Sequence, residues 1–113
     1  MPDYLKQYKR NEKSKNNAGR GTPMPGEIWW VSNLDNIKDR PILVVGYSGN
    51  TVSFLRCTSQ TSAEIKRVLI EDYLEAGLEK PTYVDTMVRT ITRSRLERKL
   101  GVLSDYDRAK FGL

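Results

Sequence analysis

Short apolar runs separated by turn residues dominate the sequence from Gly26 onward, and this rhythm is typical of a small all-β domain. A chain of 113 residues forms one domain with one modest core. About six short strands in so few residues favour an SH3-like curled sheet or barrel over a doubly wound fold. We expect strands near residues 26–32, 41–47, 51–57, 65–70, 82–91 and 98–103.

Three local signals refine this mainly β fold. Gly49-Asn50 lies between the second and third runs and predicts a hairpin. Asp72 and Gly77 are spaced for one or two helical turns, so we expect one short inter-strand helix. Ser104 precedes acidic residues, a pattern typical of an N-cap, and predicts a short C-terminal helix.

The first 22 residues differ from the rest in composition and charge. Residues 1–22 contain six Lys and Arg against two acidic residues, a net charge of +4. Such a segment has almost nothing to bury, so we expect a disordered basic arm over 1–22 and a domain over 23–113. The arm is either a solubilising tail or a segment that attracts nucleic acid without sequence preference.

The residue types limit the chemistry. The chain has no histidine and one cysteine, which excludes an internal disulfide and disfavours a zinc or iron–sulfur site. We therefore expect no metal and no cofactor, and any acid–base step must use carboxylates, hydroxyls, tyrosine, lysine or arginine. No apolar run is long enough to span a bilayer and the N-terminus is polar, so we expect a cytoplasmic protein without membrane contact.

The stretch "KDRPILVVGY" places a charged residue, Arg40, directly before a proline and a buried strand. Pro41 restricts the backbone of Arg40 to extended geometry. The arginine guanidinium is always charged, and its planar fork matches the geometry of a phosphate. Arg40 is therefore either a phosphate-binding group or a strand-end residue that pairs with Asp39.

Four segments together resemble a known family. "MPGEIWWVSN", "DRPILVV", "LRCTSQ" and "VRTITRSRLERKLGVLSD" occur in the order and approximate spacing of the PemK/MazF toxin endoribonucleases of type II toxin–antitoxin pairs. The resemblance covers residues 24–111. It implies a homodimeric, sequence-specific mRNA interferase that cleaves single-stranded RNA without metal, through attack of the ribose 2′-hydroxyl on the adjacent phosphate. It also implies neutralisation by a cognate antitoxin.

The resemblance assigns roles to individual residues. Arg40 occupies the position of the catalytic arginine in the family's Arg-Pro step, and Thr58 matches the threonine after the third strand that holds the phosphate. Ser59 and Gln60 extend this phosphate cradle as RNA-binding residues. The alternative for Thr58 and Ser59 is a turn in which their hydroxyls bond to the local backbone.

The general base is less clearly marked. The family's first loop often carries a Gly-x-Glu-Gln stretch, which the shorter "SNLDNIKDRP" lacks, leaving Asp35 and Asp39 as the carboxylates there. We assign Asp39 to RNA binding. Asp85 lies a few residues before "RTI", as an Asp does in other members, and is our third catalytic candidate beside Arg40 and Thr58. Its alternative is an ordinary solvent-facing strand residue.

The segment "RTITRSRLERK" concentrates positive charge. It is either a solvated surface with local salt bridges, or a positive surface that binds RNA or an acidic antitoxin segment, the two competing for it. We assign Arg89, Arg93 and Arg95 to RNA binding. Arg98 and Lys99 complete the basic set, with Glu97 as the one acidic residue.

Three further residues carry structural expectations. Trp29 and Trp30 are adjacent in a strand and face opposite sides, so one should lie in the core and the other at the surface. The exposed tryptophan either stacks on a base or anchors the dimer, and we favour the dimer. Cys57 lacks an activating partner and is expected to be a small buried residue.

Two other functions fit the same fold. A toxin of the gyrase-poisoning kind would need a protein-binding C-terminal helix in place of a pocket with Arg40 and Thr58. An SH3-like module that binds nucleic acid without cleaving it would fit if the general base is missing.

Overall fold

The computed structural model describes residues 22–34, 38–60 and 66–113. These residues form seven strands, one α-helix and one 3-10 turn, so the expected mainly β fold is confirmed. The predicted basic arm lies outside the described residues apart from Thr22. The elements are β1 (Glu27–Leu34), β2 (Lys38–Ser48), β3 (Thr51–Thr58), β4 (Arg67–Ile70), β5 (Thr82–Asp85), β6 (Arg89–Thr92), the 3-10 turn (Arg93–Arg95), β7 (Leu96–Val102) and α1 (Asp105–Lys110).

The strands form one antiparallel sheet in the order β4-β5-β3-β2-β1-β7, with β6 also paired to β3. Within the described ranges, β4 and β7 stand at the two ends and do not pair with each other, so the curled sheet is not closed into a barrel. The hairpin between β2 and β3 turns at Gly49-Asn50 as predicted, with Gly49 at φ +61°. Ser48 pairs with Thr51 across this turn.

The strand expected over residues 82–91 is interrupted. β5 and β6 both pair with β3, since Cys57 pairs with Val84 and Phe54 with Arg89. Five residue steps, from Val84 to Arg89, therefore lie opposite three steps on β3, from Cys57 to Phe54. Asp85 Oδ1 accepts a hydrogen bond from the Met87 backbone N–H at 3.2 Å, which turns the chain out of the sheet at this point.

The residues after β4 form consecutive turns in place of the expected inter-strand helix. One helical bond forms, from the Ala76 N–H to the Asp72 carbonyl at 3.2 Å. The next amide does not continue the helix, because the Gly77 N–H bonds to the Leu74 carbonyl at 3.1 Å. The Leu78 N–H then bonds back to the Tyr73 carbonyl at 2.9 Å, and Gly77 adopts φ +85°. A left-handed glycine ends a helical turn, so the helix stops before it can extend.

Alternate residues of β1 and β2 pack into two apolar clusters on opposite faces of the sheet. One cluster contains Trp29 and Phe54, and Trp29 is 3% exposed, which confirms that one tryptophan lies in the core. The other cluster contains Ile28, Leu43 and Cys57. The turns after β4 and the C-terminal segment cover this second cluster with Ala76, Leu78 and Leu103 among others.

The C-terminal helix is fixed to the turns after β4 by a buried carboxylate. Ser104 is the N-cap of α1 as predicted, and its Oγ accepts from the Asp107 N–H. Asp107 is fully buried and accepts hydrogen bonds from the backbone N–H groups of Glu71 at 3.0 Å and Asp72 at 2.8 Å. These bonds hold α1 and the turns together. Among the described residues, no helix is long and apolar enough to cross a membrane.

Two glycines allow the turns after β4 to touch β7. A Cβ atom built on Gly77 would lie 2.1 Å from the Leu100 carbonyl oxygen, and one on Gly101 would lie 2.4 Å from the Ala76 carbonyl oxygen. The two backbones therefore meet where side chains cannot fit. This contact brings the two ends of the sheet together without pairing them, and a cavity remains beside it.

Candidate active site

An open cavity of about 440 Å³ lies between the N-terminal part of β2, the C-terminal end of β3, the central part of β7 and residues 77–80. Five of the predicted site residues line it: Asp39, Arg40, Thr58, Ser59 and Gln60. The volume falls within the usual range for ligand pockets. The structure therefore brings the Arg-Pro step and the Thr-Ser pair together, although they belong to different strands.

Arg40 reaches across the sheet to the end of β3. Its Nη1 donates a hydrogen bond to the Cys57 carbonyl oxygen at 3.4 Å. β2 and β3 are antiparallel with Ile42 opposite Arg56, and the same register brings Arg40 level with Thr58. The side chain is half-buried, so the guanidinium is both held by the protein and open to the cavity.

The end of β3 forms the turn that was the alternative prediction for Thr58. The Gln60 N–H donates to Thr58 Oγ1 at 3.2 Å, and Arg67 Nη1 donates to the Gln60 carbonyl at 2.7 Å. A hydroxyl that accepts one bond keeps its own O–H for donation. The local turn and a phosphate contact by Thr58 are therefore compatible, and the turn orients the hydroxyl.

A row of three side chains crosses the sheet along one wall of the cavity. Trp30 pairs with Pro41 on β2 and with Arg98 on β7, and all three line the cavity. The Arg98 guanidinium carbon lies 5.4 Å from the centroid of the Trp30 ring, within cation–π range. Trp30 is half-buried, in contrast to Trp29.

Another part of the cavity wall carries an acid and a base that the sequence did not single out, Glu79 and Lys80. The residues on either side, Leu78 and Thr82, are buried, and Thr82 Oγ1 donates to the Lys80 carbonyl at 2.9 Å. Glu79 and Lys80 are themselves exposed. The wall is thus anchored at both ends while its charged side chains remain accessible.

Asp85 is not among the residues that line the cavity. It is buried, which contradicts the alternative of a solvent-facing strand residue, and its Oδ2 lies 3.3 Å from Arg56 Nη2. The ion pair holds β5 beside β3 at the point where the strand is interrupted. Cys57, which lines the cavity, pairs with Val84, the residue before Asp85, so the carboxylate belongs to the strand beside the cavity and not to its lining.

The three arginines assigned to RNA also lie outside the cavity wall. Arg93 is beside the β2–β3 turn, with its guanidinium 5.9 Å from the Tyr47 ring centroid. Tyr47 lies seven residues beyond Arg40, roughly 23 Å along a strand. Arg95 Nη2 donates to the Ser32 carbonyl at 3.0 Å, and Arg89 pairs with Phe54.

Cys57 is fully buried, as predicted. Burial, and after it the Asp85 carboxylate, raise the pKa of its thiol, the Arg40 guanidinium lowers it, and the net result is a pKa of about 12. The thiolate is the reactive form of cysteine, and it is essentially absent at neutral pH here. The contribution of Cys57 to the site is its backbone carbonyl, which accepts from Arg40.

The charges at the cavity suit a phosphate ester. Arg40, Lys80 and Arg98 are cationic, and Asp39 and Glu79 are carboxylates. Within the part of the chain that the structure describes, no group of three or more Cys, Asp or Glu residues can hold a metal ion. The arrangement can bind a phosphate, stabilise negative charge on it and exchange protons through carboxylates.

A family model described as PemK-like, MazF-like toxin of type II toxin–antitoxin system matches residues 24–111. The chain belongs to this family. The match spans β1 to α1 and therefore contains the whole cavity, which confirms the resemblance seen in the sequence.

Among solved structures, this PemK/MazF-like chain is similar to an endoribonuclease in complex with its cognate antitoxin from a mycobacterial species. The TM-score is 0.62 at 18% sequence identity, and the match covers 80% of this chain and 86% of that chain. At this identity the likeness shows a common fold. A comparison with curated proteins finds no match.

Proposed function

We propose that this PemK/MazF-like toxin is a sequence-specific, metal-independent endoribonuclease that cleaves single-stranded RNA. The observation that carries the proposal is the hydrogen bond of Arg40 to the end of β3, which aims a phosphate-binding fork into the cavity beside Thr58. Metal independence is supported by a sequence without histidine and by the lack of a metal-binding cluster among the described residues.

The reaction is an internal transesterification. The ribose 2′-oxygen attacks the adjacent phosphorus, the bond from phosphorus to the 5′-oxygen breaks, and a 2′,3′-cyclic phosphate forms. The 2′-hydroxyl proton passes to a base, and the leaving 5′-oxygen receives a proton to become a hydroxyl. The step therefore needs charge stabilisation on the phosphate, a proton acceptor and a proton donor.

Arg40 and Thr58 supply the charge stabilisation. The guanidinium of Arg40 binds the non-bridging phosphate oxygens through its paired N–H groups, and Thr58 donates its hydroxyl to the same phosphate. Ser59 and Gln60 contact the RNA backbone at the rim of the cavity. Arg40 is held by its bond to the Cys57 carbonyl and Thr58 by the Gln60 N–H before the substrate arrives, so little reorganisation is needed as charge develops.

The cavity offers two carboxylates for the proton acceptor, Asp39 on β2 and Glu79 in the segment before β5. A base must lie within hydrogen-bond reach of the proton that it takes, which favours these two over the buried, ion-paired Asp85. Lys80 is a candidate proton donor to the leaving oxygen. Asp85 then has a positioning role through Arg56 and the end of β5.

The proposed partners are single-stranded mRNA, a cognate antitoxin and a second copy of the chain. The similar mycobacterial endoribonuclease is described in complex with its antitoxin, and the family consists of toxins from toxin–antitoxin pairs. Arg89, Arg93 and Arg95 extend positive charge beyond the cavity. They suit a longer stretch of RNA backbone or an acidic antitoxin segment.

The test is cleavage of unstructured RNA by the purified full chain in excess EDTA. We expect products with a 5′-hydroxyl and a 2′,3′-cyclic phosphate or 3′-phosphate. Products with a 5′-phosphate, or activity that requires added magnesium, would overturn the mechanism. A parallel incubation with gyrase and plasmid distinguishes the gyrase-poisoning alternative, and binding of RNA without cleavage would indicate a silent module.

A further inference from the structure

We infer that Trp30 and Arg98 form a nucleobase subsite, in which a base that flanks the scissile phosphate stacks on the indole–guanidinium pair. The inference rests on the proposed function, since the ligand is the same RNA. It replaces the expectation that the exposed tryptophan anchors a dimer.

The subsite follows from the row of side chains across three strands. Residues that pair directly on neighbouring strands project from the same face, so Arg98, Trp30 and Pro41 form a continuous surface. Pro41 directly follows Arg40, and neighbouring strands are about 4.8 Å apart. The Trp30 backbone is therefore one strand spacing from the residue after Arg40, and Trp30, Arg40 and Arg98 line the same cavity.

The two tryptophans differ in what holds them. Trp29 is buried, and its Nε1–H donates to Glu27 Oε1 at 2.9 Å, so its ring belongs to the core. Trp30 is half-buried and lines the cavity, and its partner Arg98 is exposed. The Arg98 guanidinium carbon lies 5.4 Å from the Trp30 ring centroid, so an aromatic ring and a planar cation meet at the cavity.

A flat aromatic–cation pair fits a nucleobase in single-stranded RNA. Unpaired bases stack on aromatic rings and on arginine planes, and this stacking tolerates every base because each has a π-face. Arg98 also adds charge attraction to the RNA backbone. The subsite therefore contributes affinity and alignment at the cleavage position, while hydrogen bonds elsewhere select the sequence.

The experiment starts from the cleavage position that the wild-type full chain selects. A matching RNA with a 2′-deoxy substitution at the attacking nucleotide cannot be cleaved, and it is made with either flanking nucleotide intact or abasic. Affinities are measured for wild type, Trp30→Ala and Arg98→Ala. We expect one abasic substitution to weaken wild-type binding about 10-fold or more, and to weaken Trp30→Ala binding less than about 3-fold.

Two further variants separate stacking from charge and report on the ring directly. Arg98→Lys keeps the positive charge but loses the planar guanidinium. The abasic substitution should therefore weaken RNA binding by this variant less than it weakens binding by wild type. Trp30→Phe keeps a ring and leaves Trp29 as the remaining tryptophan. The intact RNA should quench the emission of wild type and leave the emission of Trp30→Phe unchanged.

Tyr106→Ala is the matched control. Tyr106 is 62% exposed, and Lys110 Nζ lies 5.5 Å from its ring centroid, so this pair resembles Trp30–Arg98 but is on α1 and away from the cavity lining. Tyr106→Ala should retain the full abasic effect. Melting temperatures identify unfolded variants, and Arg98→Ala carries the comparison if Trp30→Ala does not fold.

If the abasic substitution weakens RNA binding equally in wild type, Trp30→Ala and Arg98→Ala, the subsite is rejected. Cleavage by wild type would still support the proposed function. If Trp30→Ala changes the oligomeric state but keeps the wild-type loss of affinity on abasic substitution, Trp30 is a subunit contact and the subsite is likewise rejected. If wild type does not cleave RNA, the proposed function fails. In that case quenching by uncleaved RNA that is lost in Trp30→Phe supports the subsite, and no quenching rejects it.

Discussion

Arg40 donates a hydrogen bond from Nη1 to the carbonyl oxygen of Cys57, 3.4 Å away on the neighbouring strand. The bond ties the arginine to the residue that precedes Thr58. Pro41 restricts the backbone of Arg40 on one side, and the β2–β3 register aligns it on the other. The two groups proposed to grip the phosphate are thus positioned by one hairpin.

Arg40→Ala and Thr58→Ala should each lower single-turnover cleavage by roughly 100-fold or more, the scale for removing one preorganised charge-stabilising group. Both groups are proposed to contact one phosphate in one transition state. The double variant should therefore lose less than the product of the two single losses. Arg40→Lys should recover part of the rate, because a point charge cannot make the paired contacts of a fork.

Melting temperatures provide the control for these variants. Arg40 is half-buried and its hydrogen bond to the Cys57 carbonyl is long, 3.4 Å, so its removal should have little effect on stability. An Arg40→Ala protein that unfolds would show that the arginine is a structural strand-end group. A folded Arg40→Ala protein that cuts RNA at nearly the wild-type rate would show that Arg40 is not catalytic.

Local signals in the sequence predicted the elements that depend on neighbouring residues. Gly49-Asn50 predicted the β2–β3 hairpin, and that hairpin alone brings Arg40 level with Thr58. Ser104 predicted the start of α1 because an N-cap is a contact within one turn. Proximity of the two main site residues therefore required no information from distant parts of the chain.

The parts that were missed depend on long-range pairing. Trp30 meets Arg98 because β1 pairs with β7, which are far apart in sequence. Glu79 reaches the cavity because Gly77 packs against the β7 backbone, a contact that no local pattern encodes. The adjacent tryptophans predicted that one ring is exposed, but they did not predict that Arg98 lies beside it. The interruption after β5 was also missed, since "YVDTMVRTI" contains no glycine or proline to mark a break.

Gly77→Ala should destabilise the protein by about 3 kcal/mol or more, because its Cβ would overlap the Leu100 carbonyl and its φ is +85°. The turns after β4 would have to move away from β7, which would displace the cavity wall and lower RNA cleavage. Gly49→Ala is the control, since Gly49 has φ +61° but no atom within 4 Å of an added Cβ.

Chemical denaturation of both glycine variants separates the two effects. Gly49→Ala should lose only the cost of a positive φ, about 1 kcal/mol, and keep its cleavage rate. Equal losses of stability in the two variants would mean that the close approach of Gly77 to β7 has no energetic importance.

Asp107→Ala should lower the free energy of unfolding by about 2–4 kcal/mol. The variant leaves the part-buried backbone N–H groups of Glu71 and Asp72 without the acceptor that Asp107 provides, and the loss of a hydrogen bond to a charged group costs about 1.5–3 kcal/mol. Asp105→Ala is the control, because Asp105 is exposed in the same first turn. It should cost less than about 1 kcal/mol through the helix dipole. Similar losses in both variants, measured by urea unfolding, would show that the Asp107 hydrogen bonds do not hold α1 to the turns after β4.

Deletion of residues 1–22 should leave the fold and the cleavage sequence unchanged while weakening RNA binding at low salt. The deletion removes a net charge of +4, and attraction of this kind acts through counterion release. The difference between the two proteins should shrink as salt concentration rises. A truncated protein that does not fold, or that cuts at another sequence, would show that the segment belongs to the domain.

Alkaline pH should destabilise the folded protein through the buried thiol of Cys57. Burial raises the pKa of the folded thiol from an ordinary value of 9.0 to about 12. Below pH 9.0 the thiol is protonated in both the folded and unfolded chains. Above it, the unfolded chain releases the proton and the folded chain keeps it, so stability is lost as pH rises through this window. The loss should approach about 1.4 kcal/mol per pH unit.

Comparison with Cys57→Ala isolates this effect, because other groups that titrate at alkaline pH do so in both proteins. At pH 8 the alanine variant should be less stable than wild type, by about 1–2 kcal/mol, since it leaves a small cavity. The difference in the free energy of unfolding should narrow between pH 9 and 10.5, because only wild type carries the thiol. A difference that stays constant over this range would show that the folded thiol titrates near its ordinary pKa, and that Cys57 is accessible to solvent.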